Sequence, residues 1–193
     1  MMNATSDIDQ IDRILAGSVD AFNDLIEGHK RLVYNVVYRL VRNETDREDL
    51  CQEVFIRVYK HLRDFNRKSK LSTWIATIAY NMSINYLRKK KVQLYEDMSG
   101  EGETIDTVAT SLSAPDVDAI AGDTSALLQT EIQRLPPALQ AVLTLYHLEE
   151  FSYVEISQIM DMPDGTVKSY LFRARKMLRD RLVQKYGKKG LLL

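Results

Sequence analysis

The stretch STWIATIAYNMSINYLRKKK, residues 72–91, carries side chains suited to holding nucleic acid rather than to making or breaking bonds. At about 100° per residue, Ile75, Ile78, Ala79, Met82 and Tyr86 gather into one apolar seam, while Thr73, Thr77, Tyr80, Asn81, Ile84, Arg88 and Lys91 fall on the far side. Unpaired nucleic acid offers base faces, base edges and phosphates together. Tyr80 can stack on a base, Asn81 can pair its amide with a base edge, and Arg88 and Lys91 can meet phosphates. The preceding DFNRKSKL supplies Phe65, Asn66, Arg67 and Lys68, a pocket for a base drawn out of its stack at a cost of a few kcal/mol. Trp74 lies at the edge of the seam and reads either as a core plug or as a wedge between bases.

A second set of such side chains sits in MPDGTVKSYLFRARKML, residues 162–178. Val167, Leu171, Ala174 and Leu178 form a buried stripe, which leaves Ser169, Phe172, Arg173 and Lys176 on the opposite face, flanked by Thr166, Lys168 and Arg175. Arg can fork onto a guanine edge in the major groove and an apolar edge such as Phe172 can meet a thymine methyl, while the flanking cations hold phosphates. A short helix from about Ser152 to Met160 precedes it, with Val154, Ile156, Ile159 and Met160 as its apolar set and small Ser157 where the two helices can cross closely. Between them Pro163 prevents simple continuation, Asp161 tolerates a left-handed turn and Asp164 can cap the second helix. Helix, tight turn and basic helix in this order predict a helix-turn-helix.

Charge separates the two sets. Over the whole chain 26 Lys and Arg nearly cancel 27 Asp and Glu. Residues 61–92, however, set eight cations against the single acid Asp64, residues 93–125 hold eight acids and no cation, and residues 163–193 set nine cations against two acids. Two basic blocks around an acidic spacer point to two polyanion-binding surfaces.

Other chemistry finds little support. No carboxylate cluster, nucleophile–base pair or Gly-rich phosphate loop stands out, so neither catalysis nor a cofactor is expected, and a nuclease reading lacks its residues. Three scattered histidines give no metal-ligand spacing, and the lone Cys51 cannot form an internal disulfide. No apolar run reaches the roughly 18 residues that span a bilayer, and the acidic, polar start lacks a secretory pattern; no membrane insertion and a cytoplasmic location are the expectation.

Helical spacing dominates on both sides of the acidic spacer, which predicts an all-α chain of two small domains, residues 8–92 and 126–186, joined by a flexible linker over 93–125. Helices are expected near 8–16, 19–41, 44–63 and 72–91, then one opening at Pro136–Pro137, where missing N–H groups do no harm. Such a linker spans about 30 Å on average and stretches to roughly 110 Å, so the domains need not touch. In the third helix Leu50, Cys51, Val54, Phe55, Val58 and Leu62 make the core sector, with Thr45 or Asp46 as its cap after Asn43. Across from them lie Asp49, Gln52, Glu53 and Lys60, with Ile56 stranded among the polar groups as a candidate protein contact.

TDREDLCQEVFIRVYKHLRDF, STWIATIAYNMSINYLRKKK and MPDGTVKSYLFRARKML occur in this order along the chain, which resembles the extracytoplasmic-function sigma factors of bacterial RNA polymerase over nearly its whole length. The resemblance implies an alternative sigma factor whose partners are core RNA polymerase, promoter DNA and an anti-sigma factor, monomeric when free. It assigns Asp49, Gln52, Glu53 and Ile56 to the clamp helices of the largest polymerase subunit. Phe65, Asn66, Arg67, Lys68, Thr73, Trp74, Thr77, Tyr80, Asn81, Arg88 and Lys91 go to a melted −10 element, and Thr166, Lys168, Ser169, Phe172, Arg173 and Lys176 to a duplex −35 element. The Pro136 helix would lie near the polymerase flap, and the linker would run toward the RNA exit path. Tyr170, Asp161 and Ser157 depart from residues common in the family, namely Arg, Gly and Ala. A free-standing helix-turn-helix regulator would account for residues 152–182 but leave the N-terminal domain without a task.

Overall fold

The structure, a computed structural model, describes residues 4–97 and 124–187, with side-chain detail for 7–92 and 128–187. Most of the expected acidic linker lies outside the described residues. All regular structure among the described residues is helical.

The N-terminal helices are α1 (Ala4–Leu15), α2 (Val19–Leu40), α3 (Glu44–His61) and α4 (Leu71–Asp97), with a 3-10 turn at Leu62–Asp64. The α1–α2 turn needs Gly17, whose φ of 98° costs a side-chain-bearing residue dearly, and Ser18 then caps α2 by accepting from the Ala21 N–H at 3.3 Å. One stripe of α2, including Leu25, Val33 and Val37, is fully buried because apolar residues recur every three or four positions. Asn43, rather than Thr45 or Asp46, caps α3, its Oδ1 accepting from the Asp46 N–H at 2.9 Å. Leu50, Val54 and Val58 fill the core below, each contributing about 1.5–3 kcal/mol by leaving water. Cys51 is half-buried at the edge of that core, and burial pushes its thiol up to about 11, so it stays a neutral thiol.

The C-terminal helices are α5 (Thr124–Gln133), α6 (Pro137–His147), α7 (Tyr153–Met160) and α8 (Asp164–Tyr186). The periodicity did not flag α5. It is held by Glu131, a carboxylate only 2% exposed, which bridges Arg134 and, at 3.1 Å, Lys185 of α8. Pro136 and Pro137 open α6 as their geometry favours. A full capping box starts α7: Ser152 Oγ accepts from the Glu155 N–H, and the Glu155 carboxylate accepts from the Ser152 N–H at 2.8 Å.

The two domains touch, contrary to the freedom the linker length allows. α6 packs on α2 and α7 packs on α4, so the buried residues of both halves join one apolar cluster. Polar ties cross the seam: Asn35 Nδ2 donates to Glu149 at 2.5 Å, Lys70 pairs with Glu155 at 2.9 Å, and Arg42 donates to the Gln133 carbonyl at 3.2 Å. Apolar burial is roughly proportional to area and indifferent to direction, so it closes two domains that present matching faces regardless of the tether between them.

Candidate nucleic-acid interface

The helix-turn-helix owes its turn to three residues. Met160 ends α7, Asp161 takes the left-handed conformation at φ 51° and ψ 55°, and the Met162 N–H returns to the Ser157 carbonyl at 3.1 Å. Ser157 does more than permit close crossing: its hydroxyl donates to the Met162 carbonyl at 2.6 Å and ties the turn to α7. Pro163, not Asp164, occupies the cap position of α8; Asp164 is the first helical residue, where its charge favours the N-terminal dipole end. Val167, Leu171 and Ala174 are buried and fix the roll of α8.

That roll leaves Ser169, Phe172, Arg173, Lys168 and Lys176 exposed, Phe172 at 69%, while Thr166 is half-buried. Beside them runs a stack that the sequence reading missed. Tyr146 and Tyr153 lie parallel with centroids 5.2 Å apart, Lys168 sits over the Tyr153 ring and Arg175 over the Tyr146 ring. The Arg175 guanidinium also donates to His147 Nε2 at 3.2 Å, and burial together with that cation holds the His147 pKa below its ordinary value, favouring the neutral acceptor form. Two cations flanking the exposed face are thereby pre-positioned.

In α4 the expected face is divided. Asn81 and Arg88 are exposed, Arg88 hydrogen-bonded to Asn85, and Lys91 and Thr77 are half-buried. Thr77 Oγ1 donates to the Thr73 carbonyl at 2.9 Å. Tyr80 and Thr73, read from the sequence as lying on the outward side, are 8% and 2% exposed. Burial and the neighbouring Tyr170 of α8 both raise the Tyr80 pKa. The reason for the difference is that α4 is sandwiched, with α2 and α3 on one side and α7 on another. Nor is the terminal RKKK a uniform run of solvated cations: Lys90 donates to Asp46 Oδ2 at 3.1 Å and to Tyr86 Oη at 2.8 Å, and Tyr86 donates to the same carboxylate. Hydrogen bonds from Tyr86 and Lys90 hold the Asp46 pKa below its ordinary 3.8. This triad clamps the basic end of α4 to the start of α3.

Before α4, Phe65 and Trp74 pack with ring centroids 5.3 Å apart, both half-buried. Asn66, Arg67 and Lys68 are exposed; Asn66 Oδ1 accepts from the Lys68 N–H, and Arg67, at φ 59°, donates to Asp12 at 2.5 Å. A cleft of about 860 Å³ opens here, bounded by Phe65, Arg67 and Lys70 on one side and by Glu149, Phe151 and Glu155 on the other. Burial works against charge on Glu155, but hydrogen bonds from Lys70 and Ser152 outweigh it and lower its pKa.

On α3, Asp49, Gln52 and Glu53 are exposed and Ile56 is 52% exposed. Ile56 is not alone. Tyr59, one turn on and 54% exposed, packs edge-on against Phe22 of α2 with centroids 4.9 Å apart, which extends the apolar patch.

A helix-turn-helix whose second helix is basic and exposed, appended to a second basic helical domain, is the architecture of a DNA-binding protein. Two family models match: Sigma-70 region 2 over residues 25–92 and Sigma-70, region 4 over residues 125–178. The ECF RNA polymerase sigma factor SigW of Bacillus subtilis is 35% identical over 177 residues, covering 90% of this chain and 95% of that protein. The chain belongs to the extracytoplasmic-function group of the sigma-70 family and is an alternative sigma factor that directs promoter-specific transcription with core RNA polymerase. Its fold is also similar to CnrH in complex with the cytosolic domain of CnrY, at 18% identity and a TM-score of 0.67 over 95% of this chain and 99% of that one. Sigma factor RpoE of Bartonella quintana, in complex with the anti-sigma factor NepR, gives 20% identity and 0.66 over 85% and 98%. A free-standing regulator is not favoured, because the region 2 match gives the N-terminal half its own task.

Proposed function

We propose that this sigma factor divides promoter recognition between two surfaces. The N-terminal unit, residues 8–92, reads the −10 element as a melted strand through Asn81, Thr77, Arg88 and Lys91 of α4, Tyr80 and Thr73 once uncovered, and the Phe65–Lys68 loop with Trp74. The C-terminal unit, residues 126–186, reads the −35 element as duplex through Ser169, Phe172 and Arg173, with Thr166, Lys168 and Lys176 on phosphates. Asp49, Gln52, Glu53 and Ile56, joined by Tyr59, hold the polymerase clamp helices. The observation that carries this reading is Phe172, a large aromatic ring 69% exposed among cations on the outward face of a helix-turn-helix, where only a partner would give it a purpose.

Each DNA contact alone is weak. Polymerase holds both units at promoter spacing, so that two modest affinities combine through effective concentration. The chain adds no catalytic group, since nucleotide addition belongs to the polymerase, and it acts in the cytoplasm where that enzyme works. Of the similar structures, CnrH is in complex with the cytosolic domain of CnrY and RpoE with the anti-sigma factor NepR, and an anti-sigma partner is proposed here also. Run-off transcription from a promoter library, with and without this protein added to core polymerase, tests the reading: promoter-specific transcripts are expected, and neither transcript nor core binding would sink it.

A further inference from the structure

Cations in this chain are held in two ways. Arg67 rests on Asp12, Lys90 on Asp46 and Lys185 on Glu131, and in each pair the carboxylate that fixes the cation also offsets its charge. Arg175 is fixed without that loss. Its Nε and Nη2 groups donate to His147 Nε2 at 3.2 and 3.1 Å, and its guanidinium carbon lies 5.3 Å from the centroid of the Tyr146 ring. The imidazole accepts only while neutral, the form that burial and the nearby guanidinium favour. Tyr146 is itself held from two sides, edge-on to His147 with centroids 5.0 Å apart and stacked on Tyr153 at 5.2 Å.

Lys168, over the Tyr153 ring at 5.7 Å, stands two turns before Arg175, about 10 Å along the same edge of α8, and the exposed Phe172 lies between them. A helix seated in the major groove has a phosphate backbone along each edge. Of the five N–H groups of a guanidinium, two of Arg175 point to His147, which leaves its terminal fork, the pair that grips a phosphate through two parallel bonds. We propose that Arg175 binds a DNA phosphate beside the −35 bases and that His147, which lies outside the helix-turn-helix, is its positioning residue, presenting the fork with its charge undiminished. The proposal rests on the reading of α8 as the −35 helix. His147 sets the direction of the guanidinium and Tyr146 supplies the plane on which it lies. Such a contact strengthens binding to every duplex alike and appears in the salt dependence, whereas a base contact appears in the choice of sequence.

The full chain and its variants are titrated by fluorescence anisotropy over about 50 to 200 mM salt against two duplexes, one carrying the −35 element of a promoter selected by run-off transcription and one with that element scrambled. Arg175→Ala should weaken binding to both by the same factor and lower the slope of log affinity against log salt by about 0.9, the share of one phosphate. His147 is exposed, so its replacement leaves the core intact, and a thermal midpoint measured alongside separates loss of grip from loss of fold. His147→Leu should weaken binding to both duplexes by at least about threefold, and His147→Gln, which restores a neutral acceptor, should recover to within about twofold of the parent chain. Added to Arg175→Ala, His147→Leu should cost nothing further, because two residues that act through one contact are not additive. An unchanged salt slope in Arg175→Ala overturns the phosphate contact. Unchanged affinity in His147→Leu, no recovery in His147→Gln, or a full further loss in the double variant overturns the positioning role. A parent chain that binds both duplexes equally refutes instead the base-reading assignment of α8, and the grip is then judged on the scrambled duplex; binding to neither overturns both.

Discussion

Phe172 and Leu171 are adjacent on α8, yet truncating them is expected to have opposite consequences. Phe172 is 69% exposed and Leu171 is 2% exposed. A Phe side chain offers roughly 200 Å², of which about two-thirds is open here; covering half of that open part against DNA removes roughly 70 Å² from water. At about 25 cal/mol per Å² this is about 1.7 kcal/mol, or between about fifteenfold and twentyfold in Kd. Phe172→Ala should therefore weaken −35 duplex binding by about that factor while costing the fold less than about 1 kcal/mol, since only a third of the ring is already buried. Leu171→Ala empties a core position and should destabilise the fold by about 2–5 kcal/mol. Fluorescence anisotropy at fixed salt gives the first quantity and thermal or urea unfolding the second. If Phe172→Ala lowers stability as much as Leu171→Ala, or leaves duplex affinity unchanged, the outward placement of the ring has no recognition role and the reasoning fails.

Ile56→Asp puts a charge into the apolar patch shared with Tyr59 and Phe22 and should reduce core polymerase affinity by about tenfold or more with the unfolding midpoint nearly unchanged, as a contact that only a partner buries would. Pull-down with core enzyme decides it, and unaltered binding would remove Ile56 from the interface. Asp46, held below its ordinary 3.8 by Tyr86 and then Lys90, stabilises the fold while ionised; that contribution is present above about pH 4 and is lost as pH falls through its lower folded value. Asp46→Asn should therefore flatten the acid limb of the stability profile measured by circular dichroism between about pH 2 and 5, and an unchanged limb would mean that the triad is not coupled to folding.

The helix-turn-helix was legible because its signals are local. Pro163 and Asp161 fix the turn through their own backbone preferences, and Val167, Leu171 and Ala174 declare the buried side of α8 by spacing. Helical periodicity identifies a helix that packs on one partner, and α4 packs on three. Its sequence thus carries apolar and small residues nearly all round, and the wheel places Tyr80 and Thr73, both buried, on the outside because α7, which packs on α4, and Tyr170 of α8, which neighbours Tyr80, belong to the other domain, far along the chain. Lys90 likewise read as one more solvated cation; its partners Asp46 and Tyr86 become evident only when α3 and α4 are side by side. α5 went unread, since its tie to the domain is the buried Glu131–Lys185 pair, a contact between residues 54 positions apart that no local pattern announces. The α3 caps illustrate a smaller ambiguity: Asn43, Thr45 and Asp46 all suit the role, and the backbone decides for Asn43.

The central claim is that two separate surfaces read DNA in two states, and run-off transcription with Asn81→Ala and Arg173→Ala tests it most directly. Both residues are exposed, so neither change should harm the fold. On a template already melted over the −10 element, Asn81→Ala should impair initiation while Arg173→Ala, assayed with the −35 duplex alone, should lose binding that Asn81→Ala retains. Equal defects of both variants on both elements would contradict the division of labour.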